Sequence, residues 1–134
     1  MTKIAQCCCG SLRAQVSGDP ALIAACHCEQ CQRRTGSAFG IIGFYPVEQV
    51  RTEGVSNVFT RDGQKGRKLH FHFCPNCGTT VFWEPEFRPG QVAIAIGAFA
   101  DPGFPAPTVS VWEQSKHPWI DFRCELVSLQ QQRS

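Results

Sequence analysis

No apolar run in this sequence approaches the ~18 residues that a membrane-crossing helix requires, so a helical membrane protein is not expected. No block of like charge occurs either. The net charge of +2 is too small to imply a polyanionic partner, and nucleic acid is not expected. Internal repeats, low-complexity segments and Pro/Gly/Ser-rich linkers are also missing, so residues 1–134 read as one domain. The opening "MTKIAQ" carries a lone Lys3 with no apolar stretch behind it. A secretory signal is therefore not expected, and a reducing cytoplasm is the expected compartment. Charged residues make up only 18% against 43% hydrophobic, which is the balance of a globular chain rather than a disordered one.

What is abundant is cysteine: nine residues, an odd number, crowded into short stretches. In a reducing compartment such thiols serve metals or redox chemistry rather than a disulfide framework, and thiols two residues apart pair poorly with each other. Turn signals at Gly18-Asp19-Pro20, Asp62-Gly63, Pro75-Asn76, Pro89-Gly90 and Asp101-Pro102-Gly103 cut the chain into short pieces. Between them lie strand-like runs. "LHFHFC" alternates Leu69, Phe71 and Phe73 with His70 and His72, the two-residue period of a half-buried strand. "TVFW" at 80–83, "VAIAIG" at 92–97 and "TVSVW" at 108–112 are rich in β-formers, and "SLRAQVS" at 11–17 is placed to pair with residues 3–7. Residues 28–34 suit one short helical turn ended by Gly36. The expectation is a mostly β domain of short antiparallel strands with corners fixed by metal.

Two cysteine motifs match in kind. "CCCG" sets Cys7 and Cys9 in C-x-C-G, and "FCPNCGT" sets Cys74 and Cys77 in C-x-x-C-G. A tight turn followed by glycine lets two thiolates converge, and two such turns supply a closed tetrahedral zinc site. Such a site is structural, and its metal contributes directly to folding. A redox reading of Cys74 and Cys77 would need a βαβ setting that the flanking strands do not provide. "ACHCEQCQRRTG" then leaves Cys26, Cys28 and Cys31 with no fourth cysteine beside them. Three protein ligands and one open position is the arrangement of catalytic zinc. In extended chain His27 points away from Cys26 and Cys28, which makes it a poor fourth ligand. A second structural zinc closed by His27 or Cys124 is the alternative. Cys8 and Cys124 are left over and are expected to be small buried apolar residues.

Taken in order, "CCCG", "CHCEQCQRRTGSAFG", "FHFCPNCGTTVFW" and "SVWEQSKHPWIDF" resemble the glutathione-dependent formaldehyde-activating enzymes and the related centromere protein V. The likeness runs from about Cys7 to Phe122. It implies a zinc-stabilised β-tent, two zinc ions per chain, a structural one on Cys7, Cys9, Cys74 and Cys77 and a catalytic one on Cys26, Cys28 and Cys31. The implied activity is that of a carbon–sulfur lyase, reversible addition of glutathione to formaldehyde. The expected partners are thus a small thiol and a small aldehyde. A non-catalytic, zinc-stabilised protein-binding module is the alternative.

Arg33 and Arg34 follow the open cluster and are the candidates for substrate carboxylates, since arginine binds them through paired donors. Arg61, Lys65, Arg67 and Lys68 could hold such carboxylates too, and the alternative for the whole set is a solvated basic face. His70 and His72 are read as exposed strand residues, and Trp119 as core packing.

Overall fold

The computed structural model describes residues 1–132, and its strands fall into two sheets. The smaller contains β1 (Thr2–Gln6), β2 (Arg13–Ser17) and β5 (Val50–Glu53), antiparallel in the order β1-β2-β5. Lys3 faces Val16 and Gln6 faces Arg13, so the pairing expected across the first cysteine turn is present. The larger sheet holds β3 (Leu22–Cys26), β4 (Gly40–Pro46), β6 (Asn57–Asp62), β7 (Lys68–Phe73), β8 (Thr80–Pro85), β9 (Gln91–Ala95), β10 (Val109–Val111) and β11 (Val127–Ser128). Its order is β11-β10-β3-β4-β9-β8-β7-β6. One short α-helix, α1 (Glu29–Thr35), follows β3, and no helix among the described residues is long and apolar enough to cross a membrane. The fold is mostly β.

Strand alternation divides the core in two. On one side of the large sheet Tyr45, Val92 and Ile94 pack with Ala5, Leu12, Ala14 and Val16 of the small sheet. On the other side Ile42, Phe44, Leu69, Phe71, Trp83 and Ala93 form a second cluster with Cys26 and Cys31. "LHFHF" behaves as its period requires: Leu69 and Phe71 are buried, while His70 and His72 stand on the opposite face. Those two histidines are half-buried rather than free. His70 bonds Thr60 and Glu86, and His72 bonds Ser56 and Glu84 while stacking on Phe82.

The register slips at the end of β7. Phe73 faces Thr80 and His72 faces Phe82, so Val81 is the extra residue of a bulge immediately before the second cysteine turn. The strands are antiparallel except at one edge, where β10 runs parallel to both β3 and β11. After β9 the chain passes through a 3-10 turn at Ile96–Phe99 and a long irregular stretch before joining the far edge, a route no hairpin could supply.

Gly54 ends β5 at φ 98°, and a Cβ there would lie 2.0 Å from the Ser11 carbonyl oxygen. Gly90 has a similar φ of 78° but open space around it. Gly90→Ala should carry only the backbone strain, roughly 1–3 kcal/mol. Gly54→Ala should cost more, because the turn bearing Ser11 and the first cysteines must shift. Thermal melts of the two variants compare them directly, and equal melting temperatures would show that the turn yields without cost.

Candidate metal centres

Seven of the nine cysteines gather into two groups, and in each group the sulfur atoms all lie within 4.8 Å of one another. The first joins the β1–β2 turn to the β7–β8 turn. Both turns are built alike: Gly10 N–H donates to Cys7 O at 3.0 Å and Gly78 N–H to Cys74 O at 2.8 Å. Both glycines have positive φ, which folds the chain back so that two sulfurs face inward. Cys7 Sγ lies 3.6 Å from Cys9 Sγ, and Cys9 Sγ 3.7 Å from Cys74 Sγ. Sulfurs held ~2.3 Å from a tetrahedral ion would be ~3.8 Å apart, so the group fits such an ion.

Backbone donors already point at these sulfurs, from Leu12 N to Cys7 Sγ at 3.2 Å and from Asn76 N to Cys74 Sγ at 3.4 Å. The Cys77 thiol is held down to about 5, first by the Thr79 hydroxyl and then by backbone donors. Cys9 is lowered to about 7, first by Asn76 and then by Ser11. Cys9 and Cys77 are thus biased towards thiolate where a cation would sit, while Cys74 is shifted the other way.

Cys26 ends β3, Cys28 caps α1, and Cys31 lies in its first turn. Cys28 Sγ accepts a hydrogen bond from Cys31 N at 3.3 Å. Thiol hydrogen bonds from Cys26 and then Cys31 hold Cys28 far below its ordinary value, while the same contacts push Cys26 up. Cys28 is thereby the thiol of the three that loses its proton most readily. Helix α1 is pinned by Gln32 Nε2, which donates to His27 O at 2.9 Å and to Ser115 O at 3.2 Å. Gly36 in the left-handed conformation closes it, as expected from the sequence.

Among the described residues no fourth His, Cys, Asp or Glu ligand atom joins the trio. His27 is fully buried on the opposite side, with Nε2 2.9 Å from Ser110 Oγ and its ring against Phe39 and Phe122. Burial lowers its pKa, so it sits there neutral. Cys124 Sγ contacts Pro107 O at 3.9 Å instead.

The trio opens onto a cavity of about 900 Å³ between the second apolar cluster and the C-terminal strand. Arg61 and Arg88 border it, with guanidinium groups 5.4 Å from the Phe71 ring centroid and 4.6 Å from that of Phe44. Of the candidate cations named from the sequence, Arg61 lines it, while Arg33 and Arg34 do not. Arg33 is exposed and pairs with Glu29 at 3.5 Å along the helix. Arg34 lies over Trp83 at 4.4 Å and borders a second hollow beside Cys7, Cys8 and Cys77. Its Nε and one terminal nitrogen are buried with no hydrogen-bond partner among the described residues, and Gly40 leaves room for it, since a Cβ there would meet that nitrogen at 2.7 Å.

Three expectations need correction. Cys8 is exposed, because the turn that aims its neighbours inward aims it outward, and Cys124 is only half-buried. Trp119 is 73% exposed rather than in the core, resting edge-on against His117. Arg88 and the aromatic walls were not singled out in the sequence. They lie on strands and turns remote in sequence from Cys26, Cys28 and Cys31, and the alternation that turns Phe71 inward does not say that it faces the trio.

A mostly β frame carries one four-thiol corner and one three-thiol site facing a cavity, two groups that could each hold a metal ion. A sequence profile described as "Glutathione-dependent formaldehyde-activating enzyme" matches residues 2–115. The chain belongs to that family. Among solved structures, a crystal structure of a Rhodobacter sphaeroides protein aligns with a TM-score of 0.56 and 19% identity, covering 78% of this chain and 91% of that one. That likeness concerns the fold. No curated protein matches the chain.

Proposed function

We propose that the protein is a zinc-dependent carbon–sulfur lyase that joins a thiol to formaldehyde or another small aldehyde, and splits the adduct, at Cys26, Cys28 and Cys31. The observation that carries this reading is the trio itself: three sulfurs in mutual reach, no fourth ligand among the described residues, and a deep cavity in front of them. Membership of the family supports the same chemistry. Zinc held there would supply a soft centre that favours the thiolate form of a bound thiol.

The chain's own residues do the rest. The end of β3 and the first turn of α1 fix the three sulfurs, and largely apolar walls border the space in front of them. The substrate sulfur adds to the aldehyde carbon, the carbonyl electron pair moves to oxygen, and that oxygen takes a proton. Arg61 borders the cavity and lies near enough to Cys28 to favour its thiolate, so it is the cation available to the developing alkoxide. Cys7, Cys9, Cys74 and Cys77 would hold a second zinc, with a structural role.

Elemental analysis of protein purified without chelator should find about two zinc ions per chain, one of them removed first by a mild chelator. Exchange spectroscopy on formaldehyde with a thiol should show acceleration that disappears with that first ion. One zinc per chain, or acceleration indifferent to chelator, would overturn the reading.

A further inference from the structure

Arg34 is half-buried with no counter-charge of the ordinary kind. Its Nε and Nη2 lack hydrogen-bond partners among the described residues, and no carboxylate there pairs with it, although Arg33 beside it pairs with Glu29. The hollow it borders has no Asp or Glu in its lining either. Burying guanidinium donors unmet is costly unless a negative charge stands close by. The Trp83 ring, 4.4 Å from Cζ, offsets part of that cost. What else lies close is the trio. Arg34 follows Cys31 by three residues on α1, a spacing that puts two side chains on one face of a helix. A Cβ on Gly40 would lie 2.7 Å from Arg34 Nη2 and 3.7 Å from Cys31 Cβ, so both border the gap that this glycine leaves. The positive charge of Arg34 is felt at the Cys31 thiol, as that of Arg61 is at Cys28.

We infer that Arg34 is the fixed counter-charge of the three-thiolate centre, strengthening metal binding there and favouring an anionic ligand over a neutral one at the open position. This rests on the reading just given. Three thiolates around a divalent ion keep a single negative charge, and a substrate thiolate in the fourth place would double it. In a largely buried site that charge needs a cation beside it. Arg61 supplies one from the chamber. Arg34 supplies the other from outside the chamber lining, where it touches no substrate and acts through Cys31 and its metal. It is a positioning residue and takes no part in the bond changes.

Two measurements on the full chain test the inference. Competition with a chromophoric chelator should show the more loosely held zinc of Arg34→Gln bound at least about tenfold more weakly than in the parent. Protein loaded with cobalt(II) in place of zinc is then titrated with 2-mercaptoethanol, which binds as an anion, and imidazole, which binds neutral. The visible spectrum reports each. Arg34→Gln should weaken mercaptoethanol binding at least about tenfold and imidazole binding no more than about twofold. Arg34→Lys, which keeps the charge, should stay close to the parent. Arg34→Gln matching the parent, equal losses for both ligands, or equal losses in Arg34→Gln and Arg34→Lys would each overturn the inference and leave Arg34 as packing for Trp83. Should Arg34→Gln fail to fold, Gly40→Ala decides, because its added carbon must push Nη2 aside. It should shift metal affinity and ligand preference in the same direction, and unchanged values would overturn the inference. A parent whose cobalt spectrum ignores mercaptoethanol would instead sink the underlying reading of thiol chemistry at the trio.

Discussion

Cys74→Ser is expected to give a protein that is barely soluble or melts far below the parent. Cys74 is fully buried, and its sulfur lies 3.7 Å from Cys9 Sγ and 3.2 Å from Ser11 Oγ. The group it belongs to ties the β1–β2 turn of the small sheet to the β7–β8 turn of the large one, across 65 residues of chain. A structural zinc contributes an apparent ~10–16 kcal/mol to a small domain, against a total stability of about 5–15 kcal/mol. Losing one of four ligands removes much of that contribution. Thermal melting with and without chelator provides the check. Chelator should bring the parent down to the variant, and a variant melting within a few degrees of the parent would show that the corner holds without metal.

Cys28→Ser should have the opposite character: the fold kept and the chemistry lost. The trio spans only one strand end and one helical turn, so no distant segments come apart without it. Serine at position 28 can also still cap the helix, since its oxygen accepts from Cys31 N much as the sulfur does now at 3.3 Å. Far-ultraviolet spectra should match the parent, and melting should fall by no more than a few degrees. Metal analysis should show one zinc rather than two, and thiol–aldehyde exchange should fall at least about a hundredfold. A Cys28→Ser protein as unstable as Cys74→Ser would make the second centre structural and remove the support for an enzyme.

The two cysteine centres were legible because their information is local. A C-x-C or C-x-x-C turn followed by glycine aims two sulfurs to one side whatever surrounds it, as Gly10 and Gly78 do here. The same short-range geometry turns His27 away from its neighbours and stops α1 at Gly36. Strand alternation likewise placed Leu69 and Phe71 inward. The errors came where a side chain's surroundings depend on distant chain. Cys8 and Trp119 have apolar character but nothing packed over them.

By itself the sequence determined which seven thiols could bind metal, how they divide into four and three, and that short strands would carry them. Spacing and period act within a few residues and survive any packing. Only the tertiary structure decided what faces the open trio. Strand order brings β4, β7, β8 and β10 around Cys26, Cys28 and Cys31. It sets β10 parallel to β3, and it brings Arg61 and Arg88, rather than Arg33 and Arg34, to the rim. Sheet register, a property of pairs of segments far apart in the chain, makes that choice, and no single segment encodes it.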